Sequence, residues 1–225
     1  MSELFKSKQT DRRGHEPERI RPVLDLTRTV ARELFNFRTR PWDAIPSLNA
    51  YIADHGHEMP YDDYDEIAEG IWVHITAYLA PTAHIESPAI ICGGARICHG
   101  AYVESSIIGS FATVGENSTV KNSIIFDRAR LQGQNHVASS IVGYESVIGA
   151  GTIISDTRLD GLCVTVDMPE GVYVSGKDRL GAVICDGVMI GASCVINPGA
   201  VIDAGSKAYP LTSVSGYAYP YSTIR

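Results

Sequence analysis

Between residues 79 and 154 the chain keeps a count. Large aliphatic residues stand at Ile91, Ile108, Ile125 and Val142, each 17 positions after the last. A second series does the same at Ile97, Val114, Leu131 and Ile148, and a third at Val103, Val120, Val137 and Ile154. Within each period the steps are six, six and five, as from Ile108 to Val114 to Val120 to Ile125. Neither the helical period of about 3.6 nor the strand period of about 2 produces these steps. A chain that turns a corner about every six residues, and closes a triangular coil every three corners, does produce them. Such short-period self-similarity marks a solenoid, in which each coil buries its apolar side only against its neighbours. The six-residue unit reads as an aliphatic, often a glycine, variable residues and a small residue, as in Ile108-Gly109-Ser110-Phe111-Ala112-Thr113. The aliphatic points into the prism, glycine permits the corner backbone, and the small residue fits the crowded interior. Stacked coils then repeat at about 4.8 Å. Residues 71–212 have room for about six to eight such coils.

The count fails for 27 residues, from Ser155 to Gly181, and resumes at Ile184, Ile190, Ile196 and Ile202. A long excursion from a strict solenoid is a candidate functional loop, and Arg158, Lys177 and Arg179 are its cations. Ahead of the coil, residues 1–20 are charged and lack periodic apolar residues, which predicts a mobile tail. Residues 21–70 read as a helical cap and connector. Val23, Leu24, Leu26, Val30, Leu34 and Phe35 fit one face of a helix ended by Pro41. A second helix starts near Asp43, carries Ile45, Leu48, Tyr51 and Ile52, and stops at Gly56. This hairpin is expected to close the open end of the solenoid, where backbone groups would otherwise go unpaired. After Pro210 the rhythm fades, and residues 213–225 read as a C-terminal tail.

Composition narrows the function. With 19 basic and 26 acidic residues the net charge is −7, which argues against a nucleic-acid or anionic-membrane surface. No apolar run approaches the roughly 20 residues needed to span a bilayer. The first 21 residues lack the apolar core of a secretory signal. The five cysteines are odd in number and show no metal-type spacing. They read as small buried or corner residues in a reducing cytoplasm.

The segments Thr119-Val120-Lys121-Asn122-Ser123-Ile124-Ile125-Phe126-Asp127 and Ile148-Gly149-Ala150-Gly151-Thr152-Ile153 resemble the left-handed β-helix (hexapeptide-repeat) acyltransferases. The likeness is to the C-terminal acetyltransferase domain of the bacterial bifunctional glucosamine-1-phosphate acetyltransferase/uridylyltransferase. Arg40-Pro41-Trp42-Asp43, Gly70-Ile71-Trp72-Val73-His74 and Ala80-Pro81-Thr82-Ala83 resemble shorter bacterial chains labelled UDP-N-acetylglucosamine pyrophosphorylase-related. Together the resemblance covers residues 24–225. It implies a mainly β chain, a left-handed parallel β-helix assembled as a homotrimer, with acetyl-CoA as co-substrate in a groove between two subunits and no metal. The implied partner is a small acceptor (an amino sugar, a nucleotide sugar or another amine or hydroxyl), with no nucleic acid and no membrane. An amine attacking a thioester needs a base, donors for the oxyanion and cations for the phosphates.

Carried over residue by residue, the family's basic histidine falls on Gly133 and its tyrosine three positions later on His136. The arginine that holds the sugar phosphate falls on Glu104, and the asparagine after the Gly-Ala-Gly-Thr motif falls on Asp156. Lys121 stands where a phosphate-binding lysine is expected. His136 is therefore the candidate base, its imidazole suited to proton transfer near pH 7. Lys121, His99 and Asp156 are candidate substrate-binding residues, and Ala150, Ala192, Arg158, Lys177 and Arg179 candidate CoA-binding residues. Two acidic residues at a phosphate site oppose glucosamine-1-phosphate itself, since like charges about 4 Å apart cost roughly 4 kcal/mol at an effective dielectric near 20. A second reading is a non-catalytic trimeric scaffold or ligand-binding protein that has lost the family's catalytic residues. A β-helical carbonic anhydrase would need converging histidines, but His99 and His136 lie 37 residues apart, 2 × 17 + 3, at different places in their coils. The nucleotidyltransferase named in the family label would need a glycine-rich nucleotide-binding domain that the sequence does not show.

Overall fold

The structure, a computed structural model, describes residues 23–35 and 40–225. The tail read over residues 1–20 lies outside the described residues. The 17-residue rhythm closes as a three-sided prism of very short parallel strands. On face A the outward column runs from Trp72 through Ile90, Ile107, Ile124, Ile141, Val183 and Val201 to Tyr217. Face B, an eight-stranded sheet, runs from Tyr78 through Arg96, Thr113, Arg130, Val147, Met189 and Lys207 to Thr223. Face C runs from His84 through Tyr102, Thr119, His136, Ile153 and Val195 to Ser213. The three aliphatic series fill the interior, where Ile108, Val114, Val120 and their equivalents form one continuous core. Faces A and B each stack eight strands deep, the last of them beyond residue 212.

The corners explain the grammar of the repeat. At most of them a residue turns into the left-handed region, among them Phe111 (φ 57°), Asn117 (φ 54°) and Asn122 (φ 46°). For a non-glycine residue this conformation costs about 1–2 kcal/mol. It is held by a hydrogen bond to the rung before: Asn117 N–H donates to His99 O (3.0 Å), Gln134 N–H to Glu116 O (2.7 Å) and Ser139 N–H to Lys121 O (2.9 Å). The small interior residues form a second ladder. The Ser123 hydroxyl donates to Lys121 O (2.6 Å) and accepts from Ser140 N–H (3.1 Å). The Ser140 hydroxyl donates to Ala138 O (2.6 Å) and accepts from Ala182 N–H (3.1 Å). That last bond joins residues 42 apart, so the register crosses the insertion unbroken, with Ile141 paired to Val183.

The N-terminal segment departs from the sequence reading. Instead of a helix through Val23 and Phe35 there are two single 3-10 turns, Leu26–Arg28 and Val30–Leu34. The Asp25 and Thr29 side chains accept from Thr27 N–H and Ala31 N–H, local bonds that compete with a continuous helix. A third 3-10 turn, Pro41–Ser47, leads into α1 (Leu48–Gly56). The helix ends at Gly56 as expected, and a β-carbon there would stand 2.1 Å from Trp72 Nε1. The segment lies along face A: Val23 N–H donates to Asp203 Oδ1 (3.1 Å), Asp25 N–H to Asp186 Oδ2 (2.5 Å), and Phe35 meets Phe126 edge-on at 5.7 Å. Leu48 and Ile52 of α1 belong to the same buried cluster as Ile90 and Ile107. The end of face A is instead flanked by β1 (Tyr64–Ala68), antiparallel to β2 (Ile71–His74).

The insertion carries a hairpin, Thr165–Met168 paired with Gly171–Val174. Its Val164, Val166 and Met168 share the face A cluster with Val183 and Val201. Arg40 packs on Tyr173 at 3.8 Å and so joins the hairpin to the N-terminal segment. The coil runs further than the sequence reading placed it, since Ser213–Val214, Tyr217–Ala218 and Thr223–Ile224 all stack in register. Among the described residues no helix is long and apolar enough to cross a membrane. Replacing Ser123 by alanine strands the buried N–H of Ser140, and should lower stability by about 1–3 kcal/mol. Thr113→Ala, on the outer side of face B, should change it by less than about 0.5 kcal/mol. Urea unfolding of both variants checks the pair, and equal effects would contradict a structural role for the serine ladder.

Candidate functional site

Two surfaces meet at the corner between faces B and C. The corner column runs Pro81, His99, Glu116, Gly133, Ala150, Ala192, Pro210, and from Asn117 onward each rung's next residue donates its N–H to the column residue above. From Gly133 downward this column has almost no side chains. Gly149 and Gly191 precede Ala150 and Ala192, and a β-carbon on Gly149 would stand 2.5 Å from Ala192 N. Among the described residues nothing accepts from the backbone N–H of Ala150 or Ala192. Beside this smooth corner the face C column presents exposed His136, then Ile153 (46% exposed) and Val195 (42% exposed), on successive rungs. At Gly133 the backbone is left-handed (φ 131°), and Glu116 Oε2 lies 3.7 Å from where its β-carbon would be.

Above His136, face C carries a polar ladder. The Lys121 ammonium pairs with Glu104 Oε2 at 2.9 Å and lies 4.7 Å from the centre of the Tyr102 ring. The Tyr102 hydroxyl donates to Glu86 and lies 3.1 Å from Glu104 Oε2. His84 stacks on Tyr102 with ring centres 5.4 Å apart. The hydrogen bond to Glu86 raises the Tyr102 pKa and keeps the phenol protonated. The hydrogen bond from Lys121 lowers that of Glu104 and keeps it charged.

The sequence candidates fall into four places. His136, Ala150 and Ala192 share the lower corner and the adjoining face. Lys121 sits one rung above His136 and is already paired with Glu104. His99 is on the same corner column as Gly133 but two rungs away, its Nδ1 3.0 Å from the Thr82 hydroxyl, so it does not meet His136. Asp156, Arg158, Lys177 and Arg179 lie across face C, where the insertion leaves the coil. Asp156 is 5% exposed. It accepts from the Ser139 hydroxyl at 2.8 Å and from Arg179 Nε at 3.0 Å, so its carboxylate is committed to holding the loop. Arg158 pairs with Asp160 within the loop, and Lys177 is exposed. Glu86, Tyr102 and His84 were not singled out from sequence. The signal was there, because Tyr102, Thr119 and His136 stand 17 apart and each precede an inward valine. Among the described residues no His, Cys, Asp and Glu group could hold a metal ion. All five cysteines are free, with Cys92, Cys185 and Cys194 buried, Cys98 partly so and Cys163 exposed.

Parallel coils of hexapeptide units with a smooth corner beside a histidine are the features of a hexapeptide-repeat β-helix, and the comparisons agree in kind: the chain is similar to acetyltransferases along its coil. Residues 85–178 match the family model of the GMPPB C-terminal domain. An uncharacterized acetyltransferase, YaiX, of Escherichia coli is 29% identical over 140 residues, covering 54% of this chain and 61% of that protein. The bifunctional protein GlmU of Methanococcus maripaludis is 34% identical over 93 residues, covering 41% of this chain and 22% of its own. The chain thus spans less than two thirds of the length of the curated relatives it matches. Among solved structures, a point mutant of AntD, an N-acyltransferase from Bacillus cereus, in complex with dTDP-4-amino-4,6-dideoxyglucose and coenzyme A, aligns with a TM-score of 0.40 at 14% identity, over 69% of this chain and 75% of that one.

Burial raises the Asp156 pKa, but the hydrogen bonds from Arg179 and Ser139 outweigh it, and the net shift is below the ordinary 3.8. Such a group stabilises the fold above its unfolded value, and that contribution is lost as pH falls through the lower folded value. Amide exchange in the 165–174 hairpin should therefore accelerate as pH falls below the ordinary Asp value of 3.8, beyond its intrinsic change. Arg179→Ala should remove most of that added acid sensitivity. Identical profiles for the two proteins would contradict the anchor.

Proposed function

We propose that this chain is an acyl-CoA-dependent transferase that moves an acetyl group onto the amine or hydroxyl of a small acceptor such as an amino sugar or a nucleotide sugar. The observation that carries this reading is the side-chain-poor corner at Gly133, Ala150 and Ala192, flanked by exposed Ile153 and Val195 and headed by His136. A thin, flexible arm can lie against such a corner, hydrogen-bonding to main chain and burying apolar surface, with its thioester end at the histidine. The acceptor amine attacks the thioester carbonyl carbon, forming a C–N bond and a tetrahedral oxyanion. Collapse breaks the C–S bond. The proton lost by the amine passes through His136 to the departing CoA thiolate.

The three loop cations lie at the opposite edge of face C from this corner. They would meet the phosphates of CoA only from a neighbouring copy, as in the homotrimer that the family resemblance implies. The free cysteines fit a cytoplasmic setting. Gly133 at the family's histidine position favours the second reading, a non-catalytic scaffold.

Calorimetric titration with acetyl-CoA separates the two. Micromolar binding is expected for the wild type and for His136→Ala, while CoA-thiol release with an amine acceptor falls about 100-fold or more in the variant, the range of a lost general base. Absence of binding up to millimolar ligand leaves the scaffold reading.

A further inference from the structure

Resting on the transferase reading, we infer that the face C ladder above His136 selects an unphosphorylated polyhydroxylated amine, such as a free amino sugar, and rejects a sugar phosphate, with Glu104 as the specificity-determining residue. Glu86, Glu104 and Lys121 occupy one column of face C on successive rungs. Their formal charge is −2 + 1, or −1. Lys121, the cation of this column, is engaged, by its 2.9 Å pair with Glu104 and by the Tyr102 ring at 4.7 Å. A phosphate dianion placed beside it would face the Glu104 carboxylate directly and Glu86 one rung above. It would have to compete with Glu104 for the ammonium. Hydroxyl and ammonium groups meet the opposite situation, because both carboxylates keep acceptor lone pairs toward solvent, and ammonium–carboxylate hydrogen bonds are the strong kind. The ladder begins one rung above His136 on the same face. Glu104 stands two rungs above His136, so an acceptor whose hydroxyls bind its carboxylate can extend an amine toward the imidazole.

Glu104→Gln keeps the shape and a hydrogen-bonding group but removes one charge and releases Lys121. The test titrates glucosamine and glucosamine-1-phosphate into the CoA-loaded protein, wild type and Glu104→Gln, following ligand and amide NMR signals. Wild type is expected to bind glucosamine at least about tenfold more tightly than its phosphate, and the variant to close or reverse that ratio. Wild-type preference for the phosphate, an unchanged ratio in the variant, or binding of neither acceptor to the CoA complex overturns the inference. Failure of the wild type to load CoA at all is a separate result and removes the transferase reading beneath it. Retained CoA affinity and an unchanged urea midpoint in Glu104→Gln show that any change comes from the acceptor surface and not from unfolding.

Discussion

The prism depends on one repeated interaction, the hydrogen bond from a left-handed corner residue to the carbonyl one rung above. Asn117 on His99, Gln134 on Glu116 and Ser139 on Lys121 are instances. Each corner is unfavourable by itself for a residue with a β-carbon, and each short strand of two or three residues has little pairing of its own. Stacked, the corner bond, the strand bonds and the serine ladder satisfy nearly every buried polar group while the aliphatic series fills the middle. A coil is therefore stable only with neighbours, as expected of a solenoid. Spacing must also be strict, because one residue added within a strand would turn the next aliphatic outward. Insertions belong at corners, and the long loop leaves and rejoins the coil so that residues 42 apart still pair.

The same stacking makes the candidate site. Corner residues of successive rungs lie directly over one another, so small residues at equivalent positions merge into a groove. Gly149 and Gly191 are needed because the next rung passes too close for a side chain, and Ala150 and Ala192 then leave the corner smooth. Face C adds columns of outward side chains at a fixed spacing, which places His136 over two exposed apolar residues and under a charged ladder. Faces A and C thus differ in kind. Face A is covered by the chain's own N-terminal segment and hairpin, while face C stays open.

Much of this was legible in the sequence, for a physical reason. The interior series repeats every 17 residues, so the fold and the position of the interruption follow from counting. The outer burial of face A was also written there, in the doubled aliphatics Ile90-Ile91, Ile107-Ile108, Ile124-Ile125 and Ile141-Val142, whose first members point out of the prism and need a cover. The N-terminal segment supplies that cover without forming the helix its apolar pattern resembled, because Asp25 and Thr29 divide it. The last rungs were missed since Ala218 is small where the rhythm expects a large aliphatic. Pairing within the site was only partly readable. Glu104 and Lys121 lie 17 apart and follow from the register, whereas the bond between Asp156 and Arg179 spans the insertion, and nothing in the spacing foretells it.

The corner between faces B and C, with the face C column beside it, is the surface we propose for CoA. Amide NMR mapping of the isotopically labelled protein titrated with free CoA tests it most directly. The perturbed amides should cluster at residues 133–138, 149–153 and 191–195. Perturbations confined to face A or to the outer strand of the 165–174 hairpin, or none at all, would contradict it.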